Sequence, residues 1–269
     1  MTRHTYLQVL HQGRTRRKPV ANTAFCDDIT TLNDAYDFAD DLVALRLAEG
    51  QVVTGYKIGA TTPTAMAGFG VSEPFFAKLT GPKEDVDTTQ NAPSSPSDPV
   101  TQIPLEALNQ PLIEPELVFI ALDTLYPTDD LDTLATKLLV SAGLEIPDTR
   151  YANWRGNLST LQFICDNAGA FGVIYEDRDL RPCTYDSLDN IHGELYHNGQ
   201  SLGHATSQVV YTHPLKAVQW LVQTLHTRGD QVTRGQIISS GSFIAPQPLA
   251  LGTYEARYEG VGSITLEVV

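Results

Sequence analysis

The chain has 269 residues, a hydrophobic content of 42% and a formal net charge of −14 at pH 7. This length and apolar content allow one large domain, or a small domain attached to a larger one. The acidity argues against a nucleic-acid binder and against adhesion to an anionic membrane, since both require a basic footprint. The three cysteines, Cys26, Cys165 and Cys183, lie far apart in the sequence, which argues against a disulfide framework or a Cys-rich zinc site.

The N-terminal part predicts helices around one strand. Residues 30–49 have the three- and four-residue spacing of an amphipathic helix, with Thr30 or Thr31 as its cap. The apolar positions of that helix are Leu32, Tyr36, Ala39, Leu42, Val43 and Leu47. Residues 51–62 predict a strand that carries Lys57 between two glycines, and Thr62 caps a short helix after it.

Residues 81–104 differ in composition from the rest of the chain, because Pro, Ser, Asp and Thr dominate and apolar residues are few. This composition predicts a loop or a lid-like insertion. It separates a helical N-terminal region, 1–80, from a strand-rich C-terminal region, 105–269.

The C-terminal part predicts more strands than helices. Residues 113–122 predict a strand, 127–143 a helix, 191–206 a hairpin around Asn198-Gly199, and 213–229 a second helix. The order of these elements favours an α+β fold over alternating βαβ units. No run approaches the roughly 18 apolar residues of a membrane span, and residues 1–20 contain no apolar signal region, so we expect a cytoplasmic protein.

Two glutamates, Glu114 and Glu116, lie two residues apart on the strand 113–122, with Pro115 between them. Residues i and i+2 of a strand point to one face, and Pro115 predicts an edge or rim position. A third glutamate, Glu145, follows the next helix, and a strand–helix–strand unit could bring it beside the first two. The alternatives are a solvated acidic rim or a carboxylate site for a hard divalent cation such as Mg²⁺ or Mn²⁺.

Other polar residues are candidates for contacts with a substrate. Lys57 is either an ordinary exposed lysine or a charge that holds an oxo or carboxylate group or transfers a proton. Asn167 lies in a polar pair that is typical of a turn, and Ser240 and Ser242 offer hydroxyls to a carboxylate. Arg150 and Arg155 are candidate anchors for a second carboxylate or surface residues.

Several segments occur together in one order: "GYKIGATTP", "LIEPELVFIAL", "GLEIPDTRY", "CDNAGAFGV" and "GQIISSGSF". Over residues 30–269 the chain resembles the fumarylacetoacetate hydrolase superfamily, in its branch of 2-keto-4-pentenoate hydratases and 4-oxalocrotonate decarboxylases. The resemblance implies a small N-terminal helical part and a C-terminal mixed β-roll, in a homo-oligomer. It also implies Mg²⁺ or Mn²⁺ held by Glu114, Glu116 and Glu145, with Lys57 at the catalytic lysine position.

The resemblance further implies a small 2-oxo acid or 2-hydroxydienoate substrate from the breakdown of aromatic compounds. Hydration is the leading reaction; a decarboxylase or a C–C hydrolase is the alternative, and a non-catalytic binding homologue is the alternative of another class. One position departs from the family, because Phe75 stands where hydratases carry an acidic residue, and Glu73 is displaced by two. Phenylalanine cannot transfer a proton, which puts hydration by the usual route in doubt.

Overall fold

The computed structural model describes residues 1–15, 18–82 and 101–269. Most of the loop predicted at 81–104 lies outside these residues; of its ends, Gly81 closes a strand and Thr101–Ile103 form another. Seven α-helices occur in the described ranges: α1 Arg3–Thr15, α2 Leu32–Ala48, α3 Pro63–Phe69, α4 Leu131–Thr136, α5 Thr160–Cys165, α6 Tyr185–Leu188 and α7 Pro214–Thr227. None of them has the length and apolar character needed to cross a bilayer.

The strands in the described ranges are β1 Val52–Gly59, β2 Phe75–Gly81, β3 Thr101–Ile103, β4 Leu112–Ala121, β5 Leu138–Pro147, β6 Ala170–Tyr175, β7 Arg181–Pro182, β8 His192–His197, β9 Gln200–Thr206, β10 Ile237–Ser239, β11 Gln247–Pro248, β12 Gly252–Tyr258 and β13 Gly262–Val268. The main sheet has the order β2-β1-β10-β4-β5-β6, with β11 paired to β4 and β7 paired to β5. The second sheet has the order β3-β13-β12-β8-β9. Both sheets mix parallel and antiparallel pairs, which confirms the predicted α+β class with mixed sheets.

The main sheet is buried on both faces, and β4 shows this most clearly. Leu117 and Phe119 point into a core shared with the second sheet and α7, whereas Val118 and Ile120 point into a core covered by α1, α2 and α5. The alternation follows from the two-residue period of a strand. The main sheet takes strands from both 1–80 and 105–269, so the two sequence regions share one structural unit. The domain boundaries at 80 and 105 stay a prediction.

Most local predictions are confirmed. Helix α2 begins after Thr31, whose side chain accepts a hydrogen bond from the backbone N–H of Asp34, and α3 begins after Thr62. The hairpin β8–β9 turns at Asn198-Gly199, and α7 falls within the predicted 213–229.

The buried face of α2 differs from its predicted apolar stripe. Leu32 and Leu47 are exposed, while Arg46 lies on the buried face of the helix.

The helix predicted at 127–143 is wrong. Helix α4 spans only Leu131–Thr136, and the apolar run that follows it is strand β5, central in the main sheet. A strand buried on both faces has a continuous apolar sequence, which periodicity alone does not distinguish from a buried helix. The edge position predicted from Pro115 is also wrong, because β4 is an interior strand. Pro115 lies between the residues of β4 that pair with β10 and those that pair with β11. Its missing N–H therefore costs no hydrogen bond to either of these two strands.

Candidate metal centre

The three glutamates meet where β4 and β5 pair. Glu114 lies directly opposite Glu145 in the antiparallel register, and Glu116 follows two residues along β4 on the same face. One carboxylate oxygen from each of the three lies within 4.8 Å of the others. This spacing is close to the roughly 4.2 Å that separates opposite oxygens around one Mg²⁺, so the three carboxylates can converge on a single small cation.

Glu116 is the most constrained of the three. Its Oε2 accepts a hydrogen bond from Ser239 Oγ at 2.5 Å and another from the backbone N–H of Gly241 at 2.9 Å. Its Oε1 is buried and has no hydrogen-bond partner in the described part of the chain. A buried carboxylate oxygen without a donor is costly, so this atom is suited to a cation that the protein itself does not supply.

Lys57 supplies one positive charge beside the glutamates. It is 3% exposed, and its Nζ lies 3.1 Å from Glu145 Oε1. Burial lowers the pKa of Lys57, but the three glutamates together outweigh burial and hold that pKa above its ordinary value. The ammonium also lies 5.6 Å from the ring centroid of Phe75 and 5.8 Å from that of Phe163, within cation–π range. Lys57 is therefore a protonated, desolvated cation.

One lysine does not neutralise three carboxylates. Burial and repulsion from Glu145 raise the pKa of Glu114 to about 8, although Lys57 opposes this rise. Burial and repulsion from Glu145 and Glu114 raise the pKa of Glu116 well above its ordinary value. The hydrogen bonds from Ser239 and Gly241 act in the opposite direction. Shifts of this kind are produced by burial together with like charges that lack a counterion. All-oxygen donors, excess negative charge and the orphaned Oε1 of Glu116 fit Mg²⁺ or Mn²⁺.

A cavity of about 480 Å³ opens beside Glu114 and Lys57. Its wall is mainly apolar and aromatic, and Lys57 and Glu114 are the only ionisable side chains among the described residues that line it. The aromatic part of the wall consists of Phe69, Phe75, Trp154, Phe163 and Phe243. Phe75 contacts Phe69 and Phe163 edge-to-face, with centroids 4.9 and 5.6 Å away, so these rings form a packed surface.

Phe75 occupies space that Gly59 leaves free. The two residues face each other across β1 and β2, and a Cβ added at Gly59 would lie 2.2 Å from Phe75 Cε2. Glu73 does not replace the missing acid, because it is exposed and lies near the indole N–H of Trp220, outside the lining of the cavity. The cavity therefore offers an aromatic ring at the position where an acidic residue was expected.

The structure brings some predicted substrate-binding residues to the cavity and leaves others away from it. Ser242 lines the cavity, and its hydroxyl donates to the carbonyl of Ile244 at 2.8 Å. Ser240 is buried behind it, and its hydroxyl contacts the carbonyl of Gly241. Asn167 uses its side-chain amide to bind both backbone groups of Lys78, which ties the turn after α5 to β2. All three side chains have hydrogen-bond partners within the protein, so none of them directs an unpartnered polar atom into the cavity.

Arg150 is not at this cavity. Its guanidinium is buried against Asp166, with Nε 2.6 Å from Oδ1. This pairing could not be predicted from the sequence, because Asp166 is sixteen residues away and belongs, with Asn167, to the polar pair assigned to a turn. Arg155 donates to the carbonyl of Pro111 at 3.0 Å.

Sequence reasoning missed Ser239 and Gly241, the two donors to Glu116. The signal was present in part, since both lie in the segment "SSGSF" from which Ser240 and Ser242 were chosen. What the sequence lacked was the register: Ser239 pairs with Val118 and Lys57, which sets it on the glutamate face of the sheet. Gly241 has a φ of +106°, and a Cβ there would lie 2.5 Å from the Thr61 side chain, so this donor position requires glycine.

Several proteins are similar to the chain over most of its length. A 2-oxo-hept-4-ene-1,7-dioate hydratase from Escherichia coli is 30% identical over 275 residues, covering 99% of this chain and 98% of that protein. A 2-keto-4-pentenoate hydratase from Paraburkholderia xenovorans (strain LB400) is 30% identical over 266 residues, covering 97% and 92%. A 4-oxalocrotonate decarboxylase from Pseudomonas sp. (strain CF600) is 28% identical over 242 residues, covering 89% and 86%. No protein-family model matches the chain.

Solved structures share the fold. The 4-oxalocrotonate decarboxylase from Pseudomonas putida G7, complexed with magnesium and adipate, superposes with a TM-score of 0.83 at 24% identity, covering 100% of this chain and 99% of that one. Fumarylpyruvate hydrolase from Pseudomonas aeruginosa, in complex with Mn²⁺ and pyruvate, gives a TM-score of 0.56 at 17% identity, covering 80% and 88%.

Proposed function

Because the chain belongs to the fumarylacetoacetate hydrolase family, in its branch of 2-keto-4-pentenoate hydratases and 4-oxalocrotonate decarboxylases, we propose that it is a divalent-metal-dependent lyase of short 2-oxo acids. The leading reaction is the addition of water to a 2-hydroxydienoate in the breakdown of aromatic compounds. The observation that carries the proposal is the buried set of three glutamates with Lys57 at the wall of an apolar cavity. Relatives named as enzymes favour catalysis over a non-catalytic binding role.

Glu114, Glu116 and Glu145 would hold Mg²⁺ or Mn²⁺, the ions named with the two related structures. When bound, the ion would polarise the 2-oxo group and stabilise the negative charge that develops on its oxygen. Ser239 and Gly241 fix Glu116 by two hydrogen bonds, so this carboxylate is oriented before any ligand arrives.

Lys57 is the residue that we assign to proton transfer. Its Nζ carries a proton next to Glu145 Oε1 and lines the cavity in which the substrate carbons would lie. Hydration of 2-hydroxypenta-2,4-dienoate requires loss of the 2-hydroxyl proton, a proton at C5, hydroxide from a water that gives up a proton at C4, and a proton at C3, giving 4-hydroxy-2-oxopentanoate. With Phe75 at the usual acidic position, Lys57 and Glu114 are the ionisable side chains that the described lining offers for these transfers.

Decarboxylation is the second candidate, and the aromatic wall favours it. A dioate would place its distal carboxylate against Phe69, Phe75 and Phe163, where the one described cation, Lys57, is already paired with Glu145. Burial of an unpaired carboxylate in apolar surroundings is costly, and its loss as CO₂ removes that cost. In 2-oxohex-3-enedioate the C5–C6 bond breaks, its electron pair moves through the conjugated carbons to the 2-oxo oxygen, and that oxygen gains a proton. The products are CO₂ and 2-hydroxypenta-2,4-dienoate.

The test is to incubate the protein and Mg²⁺ with 2-hydroxypenta-2,4-dienoate and, separately, with 2-oxohex-3-enedioate. Loss of ultraviolet absorbance is followed together with product identity and CO₂ release, and EDTA-treated protein serves as the control. Formation of 4-hydroxy-2-oxopentanoate without CO₂ supports the hydratase, and CO₂ release from the dioate supports the decarboxylase. Tight Mg²⁺ binding without turnover of either acid would overturn the catalytic proposal.

Assembly into a homo-oligomer and a cytoplasmic location are part of the same proposal. Both are carried over from the family resemblance. Sedimentation of the purified protein tests the first, and fractionation of the source cells tests the second.

A further inference from the structure

A second group of buried charges lies away from the glutamates and has the opposite sign. Arg14, Arg46 and Arg150 come from α1, from α2 and from the segment after β5, and the nearby buried carboxylate is Asp166. Asp166 is engaged by Arg150, through the ion pair at 2.6 Å and through the Arg150 backbone N–H at 2.8 Å. Glu49, the next acidic neighbour, lies 2.9 Å from His11 and is half exposed. Arg14 and Arg46 therefore lack a paired carboxylate among the described residues.

Arg46 is 2% exposed, yet its Nε and Nη2 have no hydrogen-bond partner in the described ranges. Arg14 Nη1 and Thr80 Oγ1 are buried and unpartnered in the same way. An isolated buried guanidinium is expensive, because the charge loses its hydration without gaining a partner. Native proteins rarely retain such a group unless a partner binds to it.

The residues that carry these donors line one cavity of about 150 Å³. Arg14, Arg46 and Thr80 contribute to its wall, no Asp or Glu is among its described lining residues, and the rest of the wall is mainly apolar. The bulge between Val53 and Gly55, where β1 shifts register against β2, brings Thr54 to the same wall. The Nε–Nη2 edge of an arginine is the edge that binds two oxygens of a carboxylate or phosphate at once.

We propose that the cavity formed by Arg14, Arg46 and Thr80 binds a small oxyanion. The guanidinium of Arg46 holds two of its oxygens, and Arg14 Nη1 and Thr80 Oγ1 donate to the others. Tetrahedral oxyanions and carboxylates share this chemistry. The site is independent of the proposed lyase reaction, because none of its lining residues belongs to the glutamate cavity.

Thermal unfolding in matched ionic strength tests the proposal, with inorganic phosphate, sulfate and acetate as probes and KCl as the screening control. Phosphate or another oxyanion is expected to raise the Tm of the parent protein above its value in KCl, because a ligand that binds only the folded state stabilises it. Arg46→Met is expected to weaken this response at least about tenfold in the anion concentration required. Arg257→Met, which removes an exposed arginine paired with Glu255, is the matched control and should respond as the parent does.

The order of stabilities gives a second readout. In KCl, Arg46→Met is expected to unfold at the same or a higher Tm than the parent, since it removes an unpaired buried charge; in phosphate the order should reverse. Arg14→Gln, a milder change at a half-buried position, provides the same comparison if Arg46→Met does not fold. Equal oxyanion responses in parent and variants would overturn the site. A variant that loses the same stability in every salt would also overturn the site, because a carboxylate of the protein would then be the partner of the arginines. A variant whose subunits dissociate would overturn it for the same reason.

Discussion

The glutamate centre and the arginine cavity are two buried charge clusters of opposite sign in one small protein. The first sets three carboxylates against one lysine, and the second sets three guanidinium groups against one aspartate. Each keeps buried polar atoms without a protein partner in the described residues, oxygen in one case and N–H donors in the other. The comparison indicates that unbalanced buried charge marks a binding site. Excess negative charge predicts a cation as the ligand, and excess positive charge predicts an anion.

The two clusters differ in how their groups are held. Glu116 is fixed by Ser239 and Gly241, and the centre lies on paired strands. Arg46 and Arg14 project from two helices, and no side-chain partner in the described ranges fixes the unpartnered atoms. The glutamate centre thus has the fixed geometry that the proposed coordination and catalysis require, whereas the arginine cavity has the unpartnered donors that the proposed anion binding requires.

The largest expected effect comes from removing a central carboxylate. Glu116→Gln keeps the shape of the side chain but loses the negative charge, and we expect activity to fall by about 1,000-fold or more, as expected when several kcal/mol of transition-state stabilisation is lost. Steady-state turnover with Mg²⁺ measures this. Glu259→Gln changes an exposed glutamate and should leave the rate unchanged. Full activity in Glu116→Gln would contradict the site.

Lys57→Met separates catalysis from metal binding. Methionine has a similar length and lines the same cavity, but it carries no transferable proton, so kcat should fall by about 100-fold or more. Affinity for Mg²⁺ should be kept or increased, because the variant removes a competing cation from Glu145. A parallel calorimetric titration measures the affinity, and loss of metal binding together with activity would show that Lys57 has a structural role instead.

Ser239→Ala should weaken divalent-ion binding by about 10- to 100-fold, since it removes the side-chain donor that orients Glu116. Ser240→Ala is the matched control, because that neighbouring hydroxyl donates to the Gly241 carbonyl and not to Glu116. Calorimetric titration of the two variants with Mg²⁺ gives the comparison. A loss in Ser240→Ala as large as that in Ser239→Ala would contradict the role given to Ser239.

The smallest effect is on the pH dependence of stability. In metal-free protein the pKa of Glu114 is raised from 4.5 to about 8. The folded state then holds a proton that the unfolded state releases, so the free energy of unfolding falls as pH rises from about 4.5 through about 8. Mg²⁺ should reduce this fall by neutralising the ionised carboxylates.

Thermal unfolding between pH 5.5 and 8.5, with EDTA or with Mg²⁺, measures this dependence, and we expect Tm differences of a few degrees. Glu114→Gln should flatten the EDTA profile. Identical slopes with EDTA and with Mg²⁺ would indicate that no ion binds at these carboxylates.

The sequence predicted the parts of the molecule that depend on local pattern or on a short motif. Helices α2 and α7 followed from apolar spacing, and the glutamates were found because two of them lie in one tripeptide. Strand β5 was missed because a strand buried on both faces lacks a two-residue period. Arg150 was assigned to the substrate because the sequence does not give its distance from Asp166.

The arginine cavity was not predicted, because its members come from distant elements. One signal existed: Arg46 follows Leu42 by four residues and Val43 by three, in phase with the buried face of α2. A charged residue in the apolar stripe of a helix indicates a buried ion, but it does not identify the residues around it.

The most direct test of the central claim is a Mn²⁺ titration of EDTA-treated protein, followed by the electron paramagnetic resonance signal of the free ion. We predict one Mn²⁺ bound per chain in the parent, displaced by Mg²⁺, and an affinity at least about 100-fold weaker in Glu145→Gln. The Glu259→Gln control should bind as the parent does. A parent protein that leaves Mn²⁺ free, or a Glu145→Gln variant that binds it equally well, would contradict a metal centre at these three glutamates.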